Sequence, residues 1–271
     1  MSLRAIADKR TSKIIGATIA MQVAFIFAPA MAAPGSGEAS YLIERLLDSD
    51  AQTQRDAVHD LEEMGRTAVP SLISAATGKD RVLRHRAIEI LGRLGKDAQD
   101  AVPHLIDALR DSEPQIRRNA AWALGRVGSG ARSALPALLV TANDGEWDVR
   151  ADAVWAVGKV TSREQNADAV DALITALDDP SHHVRWSAAW SAARIGSAAE
   201  AAVPALIDLL EDPNWKLRAS AASALARIAV PDNADLIISH LSQVIDDRNR
   251  LVRVRAAATL KILRSRNTPG S

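Results

Sequence analysis

Two sets of residues recur at fixed spacing and could do chemistry. The first is a pair of charged columns. Asp111, Asp144, Asp179 and Asp212 each stand six residues before an arginine, at Arg117, Arg150, Arg185 and Arg218. A guanidinium and a carboxylate in constant register can form charge-assisted, bidentate hydrogen bonds. One use of such a column is a ligand-binding arginine row. The other is a structural ladder, each Arg bonding an Asp at a neighbouring turn, and the matched regularity of the two columns fits the ladder better.

The second set is aromatic. Trp122, Trp155 and Trp190 are each followed four residues later by a cation, at Arg126, Lys159 and Arg194. Residues four apart share a helix face, so each indole stands beside a positive charge. Trp186 widens the patch, Arg93 continues the cation column, and Arg118 and Asp152 add polar groups on the same side. Exposed aromatics beside arginine are what binding hot spots use. The mixed sign suits a protein or peptide better than polyphosphate. The plainer reading is that the indoles only cover the cation stems as cation–π pairs.

Other chemistry is scarce. The six His show no metal-ligand spacing, and His182 and His183, being adjacent, are expected on different helix faces. There is no Cys, no glycine-rich phosphate loop and no nucleophile elbow. The expectation is no catalytic residue, no metal and no cofactor.

The elements that must position these columns are helices. The stretch RRNAAWALGRVG at 117–128 returns at 84–95, 150–160, 185–196 and 218–229. The arginine column, with Gln54 at its head and Arg253 at its foot, steps by 30, 33, 33, 35, 33 and 35 residues. A second column in the same steps (Ser40, Pro70, Pro103, Pro136, Asp171, Pro204, Ser239) is expected to open a helix, since Pro suits a first helical turn. In the third copy Leu105, Ile106 and Leu109 form one apolar face, then Ile116, Ala120, Ala121, Leu124 and Val127 a second. Gly65, Gly95, Gly128 and Gly196 are expected to end second helices at positive φ. A helix pair this short cannot bury its stripe alone, so stability must come from stacking.

Asp-x5-Arg followed by Ala-Ala-x-Ala-Leu-Gly-x-Val-Gly and Ala-Val-Pro-x-Leu-Ile resembles the HEAT-like repeat of the phycobilisome-lyase type, over nearly the whole chain after residue 40. The resemblance implies an all-α, right-handed α-solenoid of about seven two-helix HEAT-like repeats, armadillo-like, with second helices on the concave side. It also implies the structural role for the Asp/Arg ladder.

The domain reading is a signal peptide at 1–32, a flexible leader at 33–39, the solenoid at 40–266 and a disordered tail at 267–271. Residues 1–32 combine four basic residues, the apolar run IIGATIAMQVAFIF and the small-residue site Ala30-Met31-Ala32. These features predict export to the periplasm or beyond, with cleavage after Ala32 and no membrane insertion afterwards. An uncleaved anchor is the alternative. The mature chain would hold 29 basic against 32 acidic residues, which argues against a nucleic-acid partner.

The functional expectation is an exported, non-enzymatic scaffold holding a protein or peptide on its concave face. The alternative is a chromophore-handling protein resembling the bilin lyases, in which Trp and Arg would meet a ring and its propionates. A DNA-repair reading, with Asp152 and Trp155 in active roles, is disfavoured by charge and by the export signal.

Overall fold

The computed structural model describes residues 36–161 and 166–267. The signal-peptide reading falls outside the described residues. Among those described there are fourteen α-helices, short 3₁₀ turns and no strand. None of the helices is long and apolar enough to cross a membrane.

The helices form seven consecutive pairs. They are α1 (Ser36–Arg45) with α2 (Ala51–Met64), α3 (Val69–Ala76) with α4 (Arg81–Leu94), and α5 (Val102–Ala108) with α6 (Pro114–Val127). Next come α7 (Leu135–Thr141) with α8 (Trp147–Val160), and α9 (Ala167–Leu177) with α10 (His182–Ile195). The array ends with α11 (Val203–Asp208) and α12 (Trp215–Ile228), then α13 (Pro231–Gln243) and α14 (Arg250–Asn267). The α-helix starts at Ser36 and buries Ala39 completely, so the last four residues of the leader expected at 33–39 are helical. Of the expected tail, Asn267 belongs to α14 and the rest lies outside the described residues.

The apolar pattern explains the pairing. Leu105, Leu109, Ile116, Leu124 and Val127 are buried and Ile106 is half-buried. On the second helices burial wraps most of the circumference, with Ala and Gly at the sides: Ala121, Ala123 and Gly125 in α6, Ala153, Ala156 and Gly158 in α8. Small side chains let helix axes approach closely. From α4 onward the second helices accordingly pack directly on one another, whereas the first helices touch one another far less. The second helices thus form one continuous wall, the side on which the resemblance expects the inner, concave face.

The links account for the unequal spacing. Three are seven-residue 3₁₀ segments (Gly95–Ala101, Gly128–Ala134, Gly196–Ala202), kinked at a fully buried alanine, Ala98, Ala131 or Ala199. Each starts on a glycine at positive φ (57°, 72° and 77°) with ψ between −117° and −142°, a region open essentially to Gly alone. The first link, Gly65–Ala68, has only four residues, and this is the copy with the 30-residue step. Pro70, Pro103, Pro136 and Pro204 stand in the first turn of their helices. Ser40, Asp171 and Ser239 do not open helices. They lie inside α1, α9 and α13, because in these copies the α-helix replaces the 3₁₀ segment and begins earlier.

The charged columns form a continuous staple. Arg117 donates from Nε and Nη2 to Asp144 at 2.7 and 2.8 Å, and from Nη1 to the Asp111 carbonyl at 3.0 Å. Arg150 binds Asp179 and the Asp144 carbonyl in the same way. Arg185 pairs with Asp212, and Arg218 with Asp247 at 2.7 and 2.9 Å. Each carboxylate also accepts a backbone N–H two residues on, such as Glu146 N–H to Asp144 at 3.0 Å. One arginine therefore closes its own turn and grips the next. The ladder is looser at its head, where Arg84 stands 3.5 Å from Asp111 and its buried Nε has no partner.

Candidate functional site

The indole column does not lie uniformly open on the inner wall. Trp122 and Trp155 are half-buried against the hydrophobic core. A Cβ placed on Gly92 would stand 2.3 Å from Cζ3 of Trp122, and one on Gly125 would stand 2.4 Å from Cζ3 of Trp155. Each indole thus occupies the space left by the glycine of the preceding second helix. These two rings are packing residues as much as surface ones, which corrects the expectation of a fully exposed ladder.

The cations stand over the rings as the spacing implies. Arg126, Lys159 and Arg194 lie 5.7, 5.5 and 5.8 Å from the centroids of Trp122, Trp155 and Trp190. Trp155 and Trp190 sit 6.0 Å apart, tilted by 31°. Arg194 also donates from Nε to the Gly158 carbonyl at 3.0 Å, which fixes its plane. Lys159 is pushed below its usual value, first by burial and then by the neighbouring charges of Arg194, Arg126 and Lys96. No ion pair joins Arg126, Lys159, Arg194 or Arg227 to a carboxylate among the described residues.

The other polar residues expected in the patch are occupied. Arg118 donates to Asp152 at 2.9 Å across two repeats, and approaches Asp148 at 3.6 Å. Burial raises the Asp152 carboxyl, and the bond from Arg118 opposes that rise. Arg93 is held by Glu89 at 2.6 Å and Glu62 at 3.1 Å. These three therefore link neighbouring repeats and offer no free charge. His182 and His183 do meet, with ring centroids 4.0 Å apart, and His183 stacks on Trp147 at 4.8 Å. Among the described residues no group of His, Asp or Glu is arranged to hold a metal.

The open part of the wall lies further along. A groove of about 880 Å³ crosses α10, α12 and α14. Trp186, Trp190 and Trp215 form its apolar surface, and Arg194, Lys216, Arg227 and Arg255 its charged one. Its floor is small: Ala189, Ala193, Ser220 and Ser223. No carboxylate lines it among the described residues. Trp186 and Trp215 are 45% and 37% exposed, so their faces are available where those of Trp122 and Trp155 are covered. Lys216 lies 5.9 Å from the Trp215 centroid.

The family model for HEAT repeats matches residues 39–113, 102–167, 135–226 and 203–269. The chain belongs to the HEAT-repeat family. Solved structures share the fold of this HEAT array at low identity. An engineered protein aligns at a TM-score of 0.60 and 21% identity, over 84% of this chain and 68% of the other. The HEAT-like repeat protein of Thermococcus onnurineus NA1 aligns at 0.59 and 15% identity, over 84% and 97%. A designed armadillo repeat protein in complex with the peptide (KR)4 aligns at 0.53 and 22% identity, over 83% and 99%. No curated protein matches the chain in sequence.

Within the HEAT array, Trp215, Lys216 and Arg255 escaped the motif reading. The signal for the groove is where the indole column stops. The position holding Trp122, Trp155 and Trp190 becomes Ser223 in the next copy, and the missing ring leaves the space that the groove occupies.

Proposed function

We propose that this HEAT array is a non-enzymatic scaffold, acting outside the cytoplasm, that holds a peptide segment of a partner protein along its inner wall. The observation that carries this is the groove across α10, α12 and α14, with three indoles and four cations on a floor of Ala and Ser. Such a surface combines rigid aromatic anchors with unpaired positive charge, the residue types that dominate binding energy at protein interfaces. The peptide-bound armadillo design, which shares the solenoid fold, supports a peptide as the class of occupant. Its peptide is basic, whereas the groove here is cationic. The N-terminal features at 1–32 support export.

Affinity capture from the exported fraction tests both parts. Bait purified from that fraction should begin at Ala33. A partner held by the wild type should be lost by Trp186→Ala/Trp215→Ala, whose side chains are exposed and whose removal should leave the melting curve in place. A partner retained by the double variant would remove the groove from the binding surface. A visible-absorbance shift on adding a bilin, abolished by the same variant, would favour the chromophore-handling alternative instead.

A further inference from the structure

Arg126, Lys159, Arg194 and Arg227 occupy one position on four successive second helices, α6, α8, α10 and α12. Each repeat therefore contributes one cation to a strip that no described carboxylate neutralises. Adjacent packed helices stand about 8–10 Å apart, which sets the interval of the strip. A peptide in polyproline-like conformation rises about 3.1 Å per residue with three residues per turn, so every third side chain points the same way about 9 Å on. The fully extended chain gives about 10 Å for the same three residues.

Resting on the reading of the inner wall as a peptide groove, we propose that its occupant is an acidic segment of about ten residues with Asp or Glu at every third position. One carboxylate meets one cation per repeat. Three further features agree. Arg194 uses its Nε on the Gly158 carbonyl and leaves its terminal nitrogens for a ligand. Trp190 beside Arg194, with the exposed Trp186 and Trp215, gives flat apolar surfaces for the residues between the acids. Burial and like charge already disfavour the ammonium of Lys159, and a bound carboxylate would relieve that repulsion. The strip is also bounded: on α4 the column reaches Arg93, which Glu89 and Glu62 neutralise. A long polyanion would run onto those acids, and a short peptide would not.

The test uses the full chain and three labelled ten-residue peptides in a Pro/Ala background, followed by fluorescence anisotropy. One carries Glu at every third position, one carries the same four Glu in a block, and one replaces Glu by Lys. The spaced acidic peptide should bind at least about ten-fold more tightly than the block, the basic peptide should not bind, and affinity should fall with salt. Arg126→Ala/Arg227→Ala should lose about ten-fold or more while melting as the wild type does, since neither residue carries a ladder bond. Equal affinity for spaced and blocked peptides would overturn the register. Tighter binding of the basic peptide, or of a single-stranded oligonucleotide, would overturn the acidic-peptide assignment. If all peptides fail while Trp186→Ala/Trp215→Ala still releases the captured partner, only the chemistry proposed here falls and the groove stands.

Discussion

At the scale of single residues, the Asp/Arg ladder and the groove cations divide arginine between two tasks. Arg117, Arg150 and Arg218 have raised pKa values, chiefly through the hydrogen bonds they donate to Asp144, Asp179 and Asp247. Asp144 and Asp247 are held below the usual 3.8, mainly by Arg117 and Arg218, against the opposing effect of burial. The unfolded chain therefore takes up these protons first as pH falls. The stabilisation is complete above about pH 4 and is lost as pH drops through the lower folded values. Asp247→Asn should cost about 3 kcal/mol near neutrality, because it leaves Arg218, whose side chain is 7% exposed, without its counter-charge. Urea midpoints measured from about pH 6 down to pH 3 should show a shallower acid decline for the variant than for the wild type. Parallel curves would mean that Asp247 does not titrate as the geometry requires. This pairing was legible from matched spacing alone, because a column of Asp and a column of Arg in step leave little other use for either. That Arg93, Arg118 and Asp152 are consumed by cross-repeat pairs was not legible. Glu62 reaches Arg93, and Arg118 reaches Asp148 and Asp152, only when helices stack; Glu89, four residues before Arg93 on the same helix, is the one neighbour that spacing gives.

At the scale of the helix, the glycine inside Leu-Gly-Arg or Val-Gly-Lys is as informative as the one that ends the helix. The terminal glycines could be read from the sequence because positive φ is a local requirement. Gly92, Gly125 and Gly158 could not, since what presses on them comes from the next repeat. Gly125 receives an aromatic ring, while Gly158 lies against backbone: an added Cβ would stand 2.7 Å from Cα of Ser191. Ser191 is drawn in further by its bond to the Val154 carbonyl at 2.9 Å. Both Gly→Ala changes should destabilise by overpacking, in the range of about 1–3 kcal/mol, with Gly158→Ala the worse. The two should also respond differently to relief. Adding Trp155→Ala to Gly125→Ala should recover part of the loss, a coupling that a double-mutant cycle reads directly. Adding Ser191→Ala to Gly158→Ala should recover nothing, because the clashing Cα and Cβ remain. Recovery in the second cycle would show that α8 and α10 separate more easily than their small side chains suggest.

At the scale of the whole array, charge is distributed unevenly along the inner wall. Repeats near the N-terminal end neutralise themselves through Arg66–Asp100, Arg81–Glu113 and the Arg93 cluster. Further along, cations accumulate without partners and the indole column gives way to a groove. The repeat period and the helix pairing could both be inferred from the chain. The place of the groove could not, because it depends on small residues such as Ala193 and Ser223 more than on the large ones that draw attention. In a solenoid each repeat touches only its neighbours, so the two ends can be removed with separable consequences. Deleting residues 1–66 takes away α1 and α2, and with them Glu62 and Arg66 of the self-neutralised end. It should lower stability yet leave affinity for the spaced acidic peptide within about two-fold. Deleting residues 231–271 removes Leu251 and Arg255 from the groove wall, Asp247 from Arg218, and the Thr259 hydroxyl that bonds the Ala222 carbonyl at 2.8 Å. That truncation should fray α12 in hydrogen exchange while α4 to α8 stay protected, and it should weaken the peptide by about ten-fold or more. Equal affinity in the two truncations would place recognition in the repeats they share, on the Trp122 and Trp155 side of the wall.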